Sequence, residues 1–176
     1  PTDKRSGSVV STIPSGYEVS ADGVFPRFWA ALEAPAKEVE RHDFALTKVD
    51  NDRHVMLAVT DIHLSNQNSD IEQFCTRFIP DVRAVAESFG DTPVYSLNMG
   101  DSAWDGYWYT NRYSLKDFRR TMNIVGYPAQ MFCAMGNHDN DGATIHSDSV
   151  DWAASAPYRR IIGPRYYSFN IGKVHY

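Results

Sequence analysis

The sequence has little cysteine, no basic run and no long apolar stretch, and each lack removes a class of protein. Cys75 and Cys133 are the two cysteines in 176 residues, too few for a scaffold stapled by disulfides. One falls in an apparent amphipathic helix and the other in an apolar strand, so both are expected as buried free thiols, which leaves the redox compartment open. The 17 Lys and Arg against 22 Asp and Glu give a formal charge of -5. With no Lys/Arg-rich segment, this balance argues against a protein that tracks nucleic acid through its phosphates. No segment approaches the roughly 18 consecutive apolar residues of a membrane span, and no signal peptide stands at the start. The chain opens at Pro1 without an initiator Met, which fits a removed leader and a periplasmic or secreted protein while leaving localisation open. Repeats and low-complexity tracts are also missing. What remains is 43% hydrophobic and 13% aromatic, the make-up of a globular core former.

Residues 1–50 read as the end of a β-rich N-terminal domain and its junction. Val9-Val10-Ser11-Thr12-Ile13 is strand-like, Pro14-Ser15-Gly16-Tyr17 is a turn signal, and a second strand is expected around Phe44-Ala45-Leu46-Thr47. This piece has too little apolar material for its own core and should pack on the adjoining domain. The polar turn Val49-Asp50-Asn51-Asp52 marks the boundary. Within 51–176, Ser69-Asp70-Ile71-Glu72 has capping-box form. It opens a helix whose apolar stripe runs through Ile71, Phe74, Cys75, Phe78, Ile79, Val82, Val85, Ala86 and Phe89, with a kink at Pro80 and a stop at Gly90. A second helix starts at Ser114 and ends at Gly126 and Pro128. Asp148 to Ala156 predicts a short helix, and Tyr166 to Asn170 and Val174 to Tyr176 predict two strands joined at Gly172-Lys173.

Three apolar runs organise this second part. His54-Val55-Met56-Leu57-Ala58-Val59-Thr60 ends in Asp61-Ile62-His63, Val94-Tyr95-Ser96-Leu97-Asn98-Met99 ends in Gly100-Asp101, and Met131-Phe132-Cys133-Ala134-Met135 ends in Gly136-Asn137-His138-Asp139. Runs without alternation suit strands covered on both faces, as in the parallel sheet of an α/β protein, and such sheets place ligand sites at the carboxyl ends of their strands. Gaps of roughly 40 residues leave room for helical crossovers. Core packing alone asks for no such polar endings.

Asp61, His63, Asp101 and Asn137 form a mixed oxygen and nitrogen ligand set, suited to Zn, Mn or Fe more than to Ca or Mg. Residues i and i+2 of a strand point the same way, so Asp61 and His63 share one ion if strand geometry persists. Asp101 is the natural bridge to a second. Two ions about 3.5 to 4 Å apart would activate a shared hydroxide and polarise a phosphoryl oxygen. His138 is then the expected general acid, oriented and kept protonated by Asp139 or Asp105. The stretch Ser102-Ala103-Trp104-Asp105-Gly106-Tyr107-Trp108-Tyr109 reads either as a packed loop or as a substrate-facing wall.

Asp61-x-His63, Gly100-Asp101 and Gly136-Asn137-His138-Asp139, in that order, resemble the motifs of the calcineurin-like metallophosphoesterases over roughly residues 52–176. The resemblance implies a sandwich of two β-sheets flanked by helices, a dinuclear centre of divalent or trivalent Mn, Fe or Zn, and hydrolysis of a small phosphate ester. It places Asp61 and His63 on one metal, Asp101 on the bridge, Asn137 on the second metal and His138 in the active site. Ile13 to Tyr17 and Ala36 to Glu40 resemble the end of a β domain preceding the catalytic domain in some bacterial members. The chain departs from the pattern at Trp104, where many members carry an acid; Asp105 follows one step later. It also lacks the later Gly-His and Gly-His-x-His motifs, and His42, His54, His146 and His175 stand outside any such motif. The expectation is therefore the N-terminal part of a phosphoesterase domain; the alternatives are a noncatalytic binding module of the same fold and an inactive fragment.

Overall fold

Short antiparallel β segments come first in the computed structural model, which describes residues 2–3, 8–9, 13–30, 41–144 and 150–176. Strand β1 (Thr2–Asp3) pairs with β2 (Ser8–Val9), β3 (Tyr17–Val19) with β6 (Leu46–Lys48), and β4 (Ala21–Asp22) with β5 (Phe25–Pro26). The rest of the expected Val9–Ile13 strand up to residue 12, the segment 31–40, His146 and Asp148 lie outside the described residues.

The three apolar runs become β7 (Val55–Val59), β8 (Val94–Asn98) and β9 (Gln130–Cys133), a parallel sheet in the order β7-β8-β9. Val59 stands opposite Asn98, and Asn98 opposite Cys133, so the three strands end level with one another. Successive β9 residues point to opposite faces, as a pleated strand requires. Met131 and Cys133 join a core with Leu115, Phe118 and Met122, while Phe132 faces the other way and stacks on Phe169 with ring centroids 3.9 Å apart. The N-terminal residues pack into both cores, Ile13, Val19 and Phe28 into the second and Val24 and Phe25 into the first. The architecture is mixed α/β.

The β7–β8 crossover is a single helical run: α1 (Asp70–Gln73), a π-helical turn (Phe74–Phe78) and α2 (Ile79–Glu87). Pro80 has no N–H to offer the Thr76 carbonyl and its ring crowds that group; the π turn stands just before it, a common site for such a local widening. Three expectations change here. Ser69 adopts a left-handed backbone (φ 66°) and makes no side-chain cap, because a capping Ser needs an extended backbone. Val85 and Phe89 are 46% and 40% exposed, so the buried stripe stops at Ala86. And β7, at the sheet margin, is half-exposed, unlike the enclosed β8 and β9.

The β8–β9 crossover is α3 (Leu115–Val125), preceded by an extended Ser114 whose N–H is accepted by Asp117 Oδ2 at 3.0 Å. It closes at Gly126, where the left-handed φ of 59° suits a residue without Cβ. The helix expected over Asp148–Ala156 is two, α4 (Val150–Ala154) and α5 (Ala156–Ile161), with Pro157 in the first turn of α5. Fully buried Tyr158 anchors α5 by donating its hydroxyl to the Cys133 carbonyl. The last strands, β10 (Asn170–Ile171) and β11 (Val174–His175), turn at Gly172-Lys173 as expected but are shorter. His175 bonds Asn170 and His54 lies between the Asn51 carbonyl and the Tyr176 hydroxyl, both structural places. Both cysteines are free thiols. No helix among the described residues is long and apolar enough to cross a membrane.

Candidate metal centre

Because the three strands end level, their outgoing loops meet. Strand geometry does not persist to Asp61 and His63, whose φ values are 51° and 45°, so the shared-face expectation from i, i+2 spacing fails. The chain bends there to run beside the β8 loop: the N–H groups of Asp61, His63 and Leu64 donate to the carbonyls of Gly100, Asp101 and Ser102 at 3.2, 2.8 and 3.1 Å. Asp101 is left-handed too (φ 57°), so among the described residues three of the six non-glycine residues with positive φ are candidate site residues. Such strain persists only where surrounding structure enforces it, and it concentrates at functional sites.

Two glycines explain why the motifs begin as they do. A Cβ on Gly136 would meet Asp101 Oδ1 at 2.1 Å and Asp101 N at 2.4 Å, and a Cβ on Gly100 would meet the Gly136 Cα at 2.8 Å. The loops are backbone against backbone. Asp139 locks them together. Its carboxylate, 0% exposed, accepts the N–H groups of Gly136 (2.9 Å), Asp101 (3.0 Å) and Ser102 (2.9 Å). Burial pushes the Asp139 carboxyl above the usual range, and these three donors pull it part of the way back.

Above this lock lie His63, Asp101 and His138, whose ligand atoms all fall within 4.8 Å of one another. The backbone N–H of His138 donates to Asp101 Oδ1 at 2.8 Å. Asp101 Oδ2 lies 3.4 Å from His63 Nε2, a buried nitrogen with no hydrogen-bond partner among the described residues. A buried polar atom left unmatched costs about 1 to 3 kcal/mol, and an ion beside it would remove that cost. The imidazoles and the carboxylate are the donor types of a borderline divalent metal, so these residues fit one. Asp61 and Asn137 are exposed; Asp61 stands outside this trio, and its Oδ2 accepts the Thr60 hydroxyl at 2.6 Å.

Among the described residues the imidazole of His138 has one hydrogen-bond partner: Nδ1 is 2.7 Å from Asp105 Oδ1, whereas Asp139 is committed to backbone donors. The Asp105 hydrogen bond raises His138 above the ordinary imidazole value, against a smaller opposing effect of burial, and the charges of Asp105, Asp101 and Asp139 add to the rise. Asp105 is placed by the short 3-10 turn Asp105–Tyr107 within the aromatic stretch. Trp104, just before it, sets its indole against His63 at 5.2 Å and His138 at 5.9 Å between ring centroids.

Some contributors leave little trace in the sequence. Asn98 and Ser102, both 0% exposed, bond each other through Nδ2 and Oγ at 2.9 Å beneath the Gly100 turn. Their one signal is a polar amide at the end of a buried strand. The closeness of His63 to His138, with ring centroids 4.8 Å apart, has no signal, since it depends on how two loops bend. No protein-family model matches the chain, and no curated protein matches it.

Proposed function

We propose that this chain is a metal-dependent hydrolase of phosphate esters, with the resemblance to the calcineurin-like metallophosphoesterases extending to its fold. The observation that carries the reading is the buried Nε2 of His63, which makes no hydrogen bond among the described residues and stands 3.4 Å from the Asp101 carboxylate, at the carboxyl ends of three parallel strands. His63 and Asp101 would hold a Mn, Fe or Zn ion, and Asp61 and Asn137 would complete the set that the resemblance expects for a dinuclear centre. Such an ion supplies Lewis acidity towards a phosphoryl oxygen and lowers the pKa of a water.

The chain's own residues do the rest. Asp105 accepts the Nδ1 proton of His138 and favours the imidazolium, so Nε2 carries a proton as well. As a water oxygen bonds to phosphorus and the bond from phosphorus to the ester oxygen breaks, the Nε2 proton goes to the departing oxygen; the attacking water gives up its proton to solvent, and a solvent proton restores the acid. Asp101 fixes the His138 backbone through its N–H, so the acid and the ligand set move as one unit. Asp139 does not reach the imidazole and acts through the loops it joins.

The test is metal content by mass spectrometry together with turnover of activated aryl phosphate mono- and diesters. Asp101→Asn should lose bound metal and turnover together. Retained metal with full turnover would reject the assignment.

A further inference from the structure

Beside the candidate centre opens a cleft of about 740 Å³, within the range of small-molecule sites. Its lining includes Asp61, His63 and Trp104 beside the centre and Asp70, Phe74, Arg77 and Phe78 of the crossover helix. Two features of these walls go beyond packing. Trp104 is 43% exposed although it is wedged against both candidate-site imidazoles and Tyr107, so one part of a large apolar ring is held rigidly while another meets solvent. And the irregular turn of the crossover helix lines the cleft together with Asp70 and Gln73 of α1, bringing the stacked rings of Phe74 and Phe78, 5.2 Å apart, and the Arg77 cation to the same wall. Local π turns recur at functional sites.

We propose that this cleft is the subsite for the leaving group and that it takes a planar aromatic or heteroaromatic ring carrying a second negative charge. The ring lies against Trp104 with the phosphoryl group at His63 and Asp101, and the second anion lies at Arg77, the cation of the cleft wall. Stacking on an aromatic side chain tolerates many rings because each has a π face, so the subsite selects planarity and charge, while an alkyl ester gains nothing from it. This rests on the phosphoesterase reading.

Non-hydrolysable phosphonates separate the two. Calorimetry on the metal-loaded full chain should show phenylphosphonate binding about tenfold or more tighter than methylphosphonate, the size expected of one stacked ring, and 4-carboxyphenylphosphonate tighter again. Trp104→Ala should bring the phenyl-to-methyl ratio towards one and Trp104→Phe should keep most of it, with metal content measured alongside. Arg77→Ala should remove the advantage of the carboxylate alone. A ratio that stays the same in Trp104→Ala, or equal binding of both phosphonates to the unaltered chain, overturns the subsite and leaves the hydrolase standing. No binding of any phosphonate to a metal-loaded chain overturns both.

Discussion

The two margins of the parallel sheet are built differently. At β9 the strand is buried on both faces, and the loop after it is tied to the β8 loop by two hydrogen bonds into one buried carboxylate, which also takes the Gly136 N–H of its own loop. At β7 the strand is half-exposed, and the loop after it runs through two left-handed residues beside an open cleft. The candidate centre straddles the two, with Asp101 and His138 on the locked side and Asp61 and His63 on the open one. The proposed hydrolysis would need both properties, because an acid must be held within a few tenths of an ångström while substrate still has to enter. The division of labour predicts that damage to the locked side costs stability and damage to the open side costs ligands.

The sharpest way to break the locked side is Asp139→Ala. Three backbone N–H groups would lose their acceptor in a dry place, and hydrogen bonds to charged groups contribute about 1.5 to 3 kcal/mol each. A loss of about 3 kcal/mol or more in urea unfolding is expected, with loss of metal following from the separated loops. A change below about 0.5 kcal/mol would mean that the loops do not depend on this carboxylate.

This contrast also marks how far the sequence could be read. The three strands, their parallel order and the clusters at their ends were legible because unalternating apolar runs and long crossovers leave few other arrangements. The role of Asp139 was not. An Asp next to a His suggests a charge partner, but only the fold places three backbone donors around it and leaves the imidazole to Asp105. Ser69 misled for a related reason. The capping pattern assumes an extended backbone at the first position, and here the chain arrives at the helix left-handed. Trp104, which broke the expected motif, was ambiguous as a residue type and became informative through its place between two imidazoles.

Also on the locked side, the His138 and Asp105 pair gives a smaller effect with a definite sign. His138 has its folded-state value raised above that of the unfolded chain, mainly by the Asp105 hydrogen bond. The stability it contributes is therefore full below the unfolded value near 6.5 and is lost as pH rises through the raised folded value. In the metal-free protein, imidazole resonances followed by NMR should show His138 titrating above the ordinary range, and Asp105→Asn should bring it down. An unshifted titration in both would remove Asp105 as its partner.

The smallest change in stability belongs to the open side, where Asp61→Asn is the discriminating variant. Asp61 is exposed and its φ is 51°. Asparagine is among the few residues that tolerate a left-handed backbone, so the loop should keep its path and unfolding should move by less than about 0.5 kcal/mol. Alanine would confuse the result by adding backbone strain of roughly 1 kcal/mol. What the amide removes is one negative charge facing the His63 side of the centre. If Asp61 is a ligand, Mn or Zn affinity should fall about tenfold or more while the melting temperature of the metal-free protein stays put. If affinity is unmoved, the open side holds its ion through His63 alone, and Asp61 serves only to turn the chain beside Gly100.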